Sequence, residues 1–450
     1  MERMRADHGW DGLQRRATRP CENRSMSTHR PTTSATVLGR LTPPGRLIAL
    51  DVARGIALFA MMITHIIALS DADGMPTWAA VFAGRASALF AVLAGCSLML
   101  STRSRLLVSG RLRDAAPSVL IRAAAIVLVG LCLGTVSGLL AVILVNYGVM
   151  FAIAVLFLRL RARTLFVISL AWMVLSPVVS MLIRSELGLE SEYLSMSFFD
   201  LATPAAMLRE LLLTGYYPIL QWLSFILLGM AVAKVDIARH LMSLFAAGLG
   251  LILLGRGVSW LLLTFAGGGS ALVRVSQLYG TDLKAALFTG SYGVTPTTSW
   301  WWLAIAGPHS GTPFDLLSTA GTAVTAIVAC QAIVMLLERR TWVLAPLSAP
   351  GSMPLSVYSG HVVLLEVTRL WVLGASASGE GTSGAQMSEL LIHVAVFVML
   401  ALGWKVAVSS RGPLESGIAA IIRIATPVPA ALLAARDARD ARDARDARGE

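Results

Sequence analysis

Charged side chains are scarce in this sequence. Asp, Glu, Lys and Arg make up 14% of its 450 residues, whereas hydrophobic residues make up 56%. Soluble domains usually contain roughly 25% charged residues, so this composition excludes an ordinary soluble protein. Apolar runs of about 20 residues recur along most of the chain, which is the length that a helix needs to cross a hydrocarbon core of about 30 Å. The sequence therefore predicts an all-α fold, a polytopic transmembrane helix bundle.

Cysteine is also rare, with four residues in the chain. Cys96, Cys132 and Cys330 lie in apolar runs and Cys21 lies in the polar N-terminal segment, and none has the spacing of a zinc or redox motif. We expect the first three to pack between helices as small hydrophobic side chains, and we predict no metal site.

The apolar runs predict about ten membrane spans. Their predicted bounds are Leu47 to Leu69, Trp78 to Leu100, Pro117 to Val136, Leu139 to Leu158, Leu165 to Ile183, Tyr217 to Ala233, Leu241 to Phe265, Thr312 to Leu337, Met353 to Leu373 and Leu390 to Val408. An even number of spans places both termini on one side of the membrane.

The distribution of basic residues predicts which side that is. The formal net charge is +11, but the basic residues lie in short connections and tails, so we expect contact with membrane lipid and not with nucleic acid. With the N-terminus inside, the inner connections carry eleven Lys and Arg residues and the outer ones carry four. The positive-inside rule therefore predicts cytoplasmic termini in a multi-pass protein of the plasma membrane.

Two of the predicted outer connections are long, from about residue 184 to 215 and from about 266 to 311. They suggest that recognition occurs on the outer face. Trp300, Trp301 and Trp302 end the second of them, and we expect them to anchor the protein at the membrane interface.

Polar tails flank the predicted membrane domain of residues 46–425. Residues 1–45 are polar and basic without an apolar core, so we expect a disordered cytoplasmic tail and no cleavable signal peptide. Met26 offers a second candidate start within it. Residues 426–450 include an Ala-Arg-Asp repeat from Ala435 to Ala447, which places like charges three residues apart and predicts a second disordered tail.

The first span carries polar residues along one face. Arg54 and His65 are eleven residues apart, which is close to three helical turns and about 16 Å of axial rise. Asp51 lies one turn before Arg54, and Leu58 and Met61 complete the same stripe. Because intramembrane charges are costly unless they are paired or face a wet interior, a functional role is the default interpretation.

Two interpretations of this stripe fit the residues equally well. Asp51 and Arg54 can neutralise each other as a packing pair, and His65 can be a hydrogen-bonding residue between helices. Alternatively, a neutral imidazole near the outer face can accept a proton from an attacking hydroxyl or amine, or carry an acyl group itself.

The pattern of Arg54, GIALFAMMIT and His65 resembles the signature of integral-membrane acyltransferase family three. RLIALDVARGIALFAMMITH followed by GRASALFAVLAGCSLML is similar to the opening helices of the bacterial heparan-alpha-glucosaminide N-acetyltransferase catalytic-domain group and of the YeiB-like proteins. LLLTGYYPILQWLSFILLGMAVAK, PHSGTPFDLL, GSMPLSVYSGH and RGPLE follow in the family order.

This resemblance implies transfer of an acyl group, commonly acetyl, from cytoplasmic acyl-CoA to an acceptor on the outer side, often a sugar or another glycan. It implies that His65 is catalytic and that Arg54, paired with Asp51, positions the thioester donor or the histidine. The lysosomal enzyme has its active histidine in the loop after its first helix. The corresponding loop here, DADGMPTW, has none, so its sugar substrate is not carried over.

Five further residues are candidates for the acceptor side. Arg85 is expected to line the same cavity as His65, or else to reach the interface. His309 and Asp315 flank Pro313, where they can orient an acceptor or simply cap a helix. Tyr358 and His361 share a helix face in a motif that looks like a family element, with interhelical packing as the alternative.

The main rival function is a multi-pass transporter or flippase that uses the same intramembrane polar residues. The two halves of the sequence show no evident inverted repeat, which disfavours it. A homo-oligomer is compatible with the sequence.

Overall fold

The computed structural model describes residues 39–41, 46–109, 111–137, 140–192, 195–375 and 383–426. The predictions for Cys21, Met26 and nearly all of the N-terminal tail, and those for the Ala-Arg-Asp repeat, lie outside the described residues. Within them, the only β-structure is an isolated bridge between Ser70 and Pro76. The all-α prediction is therefore confirmed.

The described residues from 46 to 426 contain fourteen α-helices, which we number in chain order, with short 3₁₀- and π-helical segments between some of them. They are α1 (Ile48–Ile66), α2 (Arg85–Ser109), α3 (Leu112–Val136), α4 (Leu144–Ala154), α5 (Ala162–Leu187), α6 (Pro204–Arg209), α7 (Ile219–Val232), α8 (Leu241–Thr264), α9 (Gly268–Tyr279), α10 (Pro313–Leu337), α11 (Ala345–Gly351), α12 (Pro354–Ala375), α13 (Ser383–Ala407) and α14 (Pro413–Ala425).

Among the described residues, seven helices are long and apolar enough to cross a membrane, or eight if the bent pair of Pro204–Thr214 and Ile219–Val232 is one span. A polytopic helical bundle is confirmed, but two of the ten predicted spans do not reach that standard. One is the short apolar helix Leu144–Phe157. The other is α12, a 22-residue helix whose apolar run is interrupted by His361, Glu366 and Arg369. The sidedness of the termini stays a prediction.

The first helix lies at the centre of the bundle. It contacts α2, α10, α11, α12 and α13. Its contact with α11 is close, because the space that a side chain would need at Gly55 is filled by the Leu347 carbonyl, and that at Gly351 by the Asp51 carbonyl. Glycine is therefore required at both positions, and the polar stripe of α1 is held inside the protein.

The long outer connections are folded and joined to each other. They contain α6 and α9, and the Arg184 guanidinium from the end of α5 donates a hydrogen bond of 2.7 Å to the Thr295 carbonyl. The anchor prediction fails for Trp302, which is fully buried with Leu272 and Ile305 in a small separate core. Its indole Nε1 donates to the Thr298 hydroxyl at 3.1 Å, so a partner inside the loop replaces the interface. Trp300 remains exposed.

The cysteine prediction is correct at two positions and wrong at one. Cys96 and Cys330 are buried, whereas Cys132 is exposed on α3. The Cys96 thiol lies 3.1 Å from the Gly229 carbonyl, where α2 packs against α7.

Candidate functional site

The polar stripe of α1 leads into two different cavities. Arg54 lines one near the start of the helix, and Met61 and His65 line another near its end. Leu58, between them, is 1% exposed and lines neither cavity. The stripe predicted from the sequence therefore exists, but it is divided in the middle.

We call the first cavity the arginine cavity. It has a volume of about 530 Å³, and four arginines line it. Arg46 and Arg54 come from α1 and the residues just before it, Arg122 from α3, and Arg411 from the connection that precedes α14. Its remaining walls are mainly apolar or aromatic and include Phe90, Leu93, Ala94, Ile126, Leu144, Tyr147, Phe151, Leu355, Tyr358 and Ile418. A site of this kind suits a ligand that is anionic at one part and apolar at another.

Asp51 holds two of these arginines in place. Asp51 is 3% exposed, and its carboxylate accepts hydrogen bonds from Arg46 and, at 2.6 Å, from Arg54 Nη1. Arg54 Nη2 donates to the Ser97 hydroxyl at 2.8 Å and so links α1 to α2. The predicted pairing of Asp51 with Arg54 is present, and Arg46 is a second partner that sequence reasoning missed.

The RGPLE segment supplies two more side chains to the same cavity. Arg411 and Glu415 both line it. The Glu415 carboxylate accepts hydrogen bonds from the Leu355 and Ser356 backbone N–H groups at 2.7 and 3.2 Å. Both N–H groups belong to the first turn of α12, where backbone donors have no partner within the helix itself. Glu415 therefore caps α12 from another helix, which fixes the segment that carries Tyr358 and His361.

We call the second cavity the histidine cavity. It has a volume of about 250 Å³, and His65, His309 and Arg369 line it together with Thr64, Ser87, Tyr216 and Tyr217. Arg369 lies 3.9 Å from the Glu366 carboxylate, one turn away on the same helix. The structure thus brings His65 and His309 to one cavity, although they are far apart in the sequence.

Three imidazoles form a row that starts at His65. His65 Nδ1 lies 3.1 Å from His361 Nε2, and His361 Nδ1 lies 2.9 Å from His393 Nδ1. The row ends near Glu389, whose Oε1 is 4.0 Å from His393 Nε2. No group of three or more His, Cys, Asp or Glu within the described ranges is placed to hold a metal ion.

His309 has an unusual backbone for a residue with a large side chain. Its φ is 52°, in the left-handed region that disfavours most side chains. Its ring packs against Tyr216, with ring centroids 4.5 Å apart, and stacks on Trp222 at 6.0 Å. Burial lowers the pKa of His309 from 6.5 to about 4, so the ring is neutral near pH 7. A neutral imidazole at the cavity wall can accept a hydrogen bond from an acceptor molecule.

The two cavities are separated by packed side chains. Tyr147 lines the arginine cavity, and its hydroxyl donates at 3.3 Å to the carbonyl of Ser87, which lines the histidine cavity. Tyr358 also lines the arginine cavity, one turn before His361. Together with Leu58 these residues form a wall between the cavities.

The remaining predicted residues lie outside the histidine cavity. Arg85 does not line it and donates instead to the Val81 carbonyl. Asp315 lies in the first turn of α10, where its carboxylate accepts from Gly311 N–H at 3.1 Å and its own N–H donates to Thr312 Oγ1 at 3.1 Å. The capping turn that the sequence offered as an alternative is therefore present, and a direct role for either side chain stays a prediction.

Sequence reasoning missed His393, Glu389, Arg46, Arg122 and Arg411. A signal existed for the first two, because Glu389 and His393 form a polar pair about one helical turn apart at the start of an apolar run, as Asp51 and Arg54 do. Arg411 belongs to a segment that carried the family resemblance. A signal also existed for Arg122, because it lies within the predicted span from Pro117 to Val136, where a charged residue is costly.

The model of the family described as heparan-alpha-glucosaminide N-acetyltransferase, catalytic, matches residues 46–273. That segment contains Arg54 and His65 but ends before His309, His361 and His393. A search of the curated proteins finds no match for this chain. The match covers half of the chain and is in accord with the membrane bundle described above, and the chain accordingly belongs to the heparan-alpha-glucosaminide N-acetyltransferase catalytic-domain family.

Proposed function

We propose that this multi-pass membrane protein transfers an acyl group, in the first instance acetyl, from cytoplasmic acyl-CoA to an acceptor on the outer side of the plasma membrane. One observation carries the proposal. A single central helix carries Arg54 at one end and His65 at the other, and each of them lines a separate cavity. Donor and acceptor therefore have separate places along one helix.

The arginine cavity suits the donor. Coenzyme A carries several phosphate groups, and the planar guanidinium of arginine binds phosphate oxygens with two parallel hydrogen bonds. Arg46, Arg54, Arg122 and Arg411 supply four such groups, against the carboxylates of Glu415 in the lining and of Asp51, which pairs with Arg46 and Arg54. The apolar wall formed by Leu93, Ile126 and Phe151 suits the uncharged arm of the donor.

This cavity lies at the end of α1 that the positive-inside rule places in the cytoplasm, where acyl-CoA is available. Its volume of about 530 Å³ is within the range of about 300 to 1,000 Å³ that is usual for small-molecule sites. The cavity thus accommodates a substantial part of the donor.

The histidine cavity suits the chemical step. Because His65 Nδ1 faces His361, its Nε2 is the nitrogen available to the cavity. In direct transfer, the acceptor hydroxyl or amine gives its proton to Nε2 as its oxygen or nitrogen bonds to the acyl carbon. The carbon–sulfur bond breaks, and the thiolate of coenzyme A takes up a proton.

The thioester must travel from Arg54 towards His65, about 16 Å along the helix axis. Leu58, Tyr147 and Tyr358 occupy this route. Transfer therefore requires that the wall open when the donor binds, as many enzymes close or open a site in response to substrate.

The acceptor side is the less specific half of the proposal. The cavity walls combine Tyr216, Tyr217 and Phe82 with the polar groups of His309 and Thr64. Such a lining suits a sugar hydroxyl or amine, and the family description names a glucosaminide. We therefore propose a glycan or glycolipid as acceptor.

The test uses membrane vesicles from cells that produce the protein, incubated with radiolabelled acetyl-CoA. Coenzyme A release and transfer of label to the glycan and lipid fractions are measured for wild type, His65→Ala and His240→Ala. His240 is the matched control because it is exposed, and its Nδ1 contacts only the Asp236 carbonyl of its own segment.

We expect wild type and His240→Ala to release coenzyme A and transfer label, and His65→Ala to lose at least a factor of about 100, as general-base removal typically does. Equal release by wild type and His65→Ala would reject the proposed chemistry. In that case the transporter interpretation would gain support.

A further inference from the structure

The row of His65, His361 and His393 continues behind the proposed catalytic residue. His361 and His393 are 1% and 0% exposed, and they come from α12 and α13, so three helices supply one imidazole each. The His65 and His361 rings are nearly parallel, with an interplanar angle of 9°, and the His361 and His393 rings are nearly perpendicular at 81°. Each short nitrogen–nitrogen contact requires one nitrogen that carries hydrogen and donates, and one bare nitrogen that accepts.

The proton positions in this row follow from the contacts. A neutral imidazole has one N–H and one bare nitrogen. If His65 Nε2 is bare and faces the cavity, Nδ1 carries hydrogen and donates to His361 Nε2. His361 then carries its hydrogen on Nδ1 and donates to His393 Nδ1, so His393 carries its hydrogen on Nε2.

The imidazole N–H groups of this row therefore all donate in the direction of Glu389. His393 Nε2 has no hydrogen-bond partner among the described residues, and the nearest carboxylate oxygen is Glu389 Oε1 at 4.0 Å. Glu389 also accepts a hydrogen bond of 2.7 Å from the Thr368 hydroxyl, and its side chain is 24% exposed. The last acceptor of the row is thus positioned by another helix and reaches the surface of the protein.

We propose that His361, His393 and Glu389 form a relay that moves the proton charge away from His65 during acyl transfer. This inference rests on the proposed function. When His65 Nε2 takes the acceptor's proton, its Nδ1 proton passes to His361 Nε2, and the His361 Nδ1 proton passes to His393 Nδ1. The positive charge then lies on His393 beside the Glu389 carboxylate, and the reverse sequence returns a proton to the thiolate.

The surroundings favour this displacement of charge. Arg369 from α12 lines the same cavity as His65 and disfavours a second positive charge there, although Glu366 on its own helix partly offsets it. His309 is the other titratable group at the cavity, and its low pKa of about 4 keeps it neutral. Glu389 is the carboxylate nearest to His393. A positive charge is therefore better placed at the far end of the row than at its start.

His361, His393 and Glu389 are positioning residues in this scheme, since only His65 meets the substrates. The test compares Glu389→Gln, which keeps the side-chain shape, and His393→Phe, which keeps a ring without nitrogens. The matched control is Glu192→Gln, because Glu192 is an ion-paired carboxylate outside both cavities. Coenzyme A release from acetyl-CoA by membrane vesicles is measured from pH 5 to 9 at saturating and limiting acetyl-CoA.

We expect both relay variants to lower the plateau rate about 10-fold or more, with the KM for acetyl-CoA unchanged. We also expect the acid limb of the pH profile to move to lower pH. In Glu389→Gln the His393 imidazolium loses its counter-charge, and in His393→Phe the positive charge stays closer to Arg369. A merely structural role would lower the rate without moving that limb. Glu192→Gln should match wild type in both respects.

The relay is rejected if Glu389→Gln retains the wild-type plateau and acid limb, and this variant remains informative if His393→Phe does not fold. His65→Ala, assayed in parallel, separates the two proposals. Loss of activity in His65→Ala with wild-type behaviour in Glu389→Gln rejects the relay alone, whereas full activity in His65→Ala rejects the proposed function.

Discussion

Replacement of Arg54 by lysine should weaken donor binding even though the charge is kept. The Arg54 guanidinium makes two hydrogen bonds in different directions, at 2.6 Å to Asp51 and at 2.8 Å to Ser97. These contacts fix its plane at the wall of the arginine cavity. A lysine ammonium is a flexible point charge, so it can keep the contact with Asp51 but not the planar arrangement.

The magnitude follows from the contacts that are lost. A hydrogen bond that involves a charged group contributes about 1.5 to 3 kcal/mol. Loss of the Ser97 contact should therefore lower the free energy of unfolding by about that amount. Loss of a bidentate hydrogen-bonding contact of similar strength between Arg54 and a phosphate of the donor should raise the Kd for acetyl-CoA by a factor of about 10 to 100.

The assay is titration of the purified, detergent-solubilised protein with acetyl-CoA by calorimetry, together with thermal unfolding. The matched control is Arg239→Lys, an exposed arginine on the predicted cytoplasmic face that lines neither cavity. We expect the control to bind acetyl-CoA as wild type does. An Arg54→Lys protein with lower stability and unchanged affinity would refute the assignment of this cavity to the donor, because Arg54 would then serve packing alone.

Two further predictions concern the wall and the histidine cavity. Leu58→Ala should join the cavities and raise proton leakage through the protein in liposomes that contain a pH-sensitive dye. The control is Leu165→Ala, which also replaces a fully buried leucine. Each variant should lower the free energy of unfolding by about 2 to 5 kcal/mol, but only Leu58→Ala should leak protons. Equal leakage from both variants would contradict the role of Leu58. Because the pKa of His309 is about 4 in the folded protein and 6.5 when unperturbed, its contribution to stability is complete above pH 6.5 and is lost as the pH falls towards 4. The difference amounts to ~3 kcal/mol. Asparagine tolerates the positive φ at this position. The Tm of His309→Asn should therefore fall less between pH 7 and pH 4.5 than the Tm of wild type, and an identical fall would contradict the low pKa of His309.

The local features of the site were predictable from the sequence. Helical periodicity alone places Asp51, Arg54 and His65 on one face, because 3.6 residues per turn fixes their angular positions. The signals Thr312, Pro313 and Asp315 likewise predict the start of α10, since the hydrogen bonds of a helix start involve neighbours in the chain. Both predictions depend on residues that are close in sequence.

Most of the features that were missed depend on contacts between distant helices. His361 lies 296 residues from His65 and His393 lies 32 residues further on, and no local pattern fixes which helix faces α1. The division of the polar stripe is similar, because Leu58 looks like any lipid-facing or core leucine in the sequence, and only the structure shows that it is buried and lines neither cavity. Arg122 is a further example, since its position inside the predicted third span marks it as a costly charge but only the packing shows that it lines the arginine cavity.

The wall between the cavities is a requirement of the proposed reaction. A continuous wet passage from Arg54 to His65 would let water reach the thioester and let protons cross the membrane, so the reaction would be lost to hydrolysis and leakage. A permanent wall would prevent transfer altogether. The binding energy of the donor in the arginine cavity must therefore be used in part to displace side chains such as Leu58, which couples opening of the route to the presence of the substrate. This coupling explains why the polar groups of α1 occupy its two ends and why its middle is apolar.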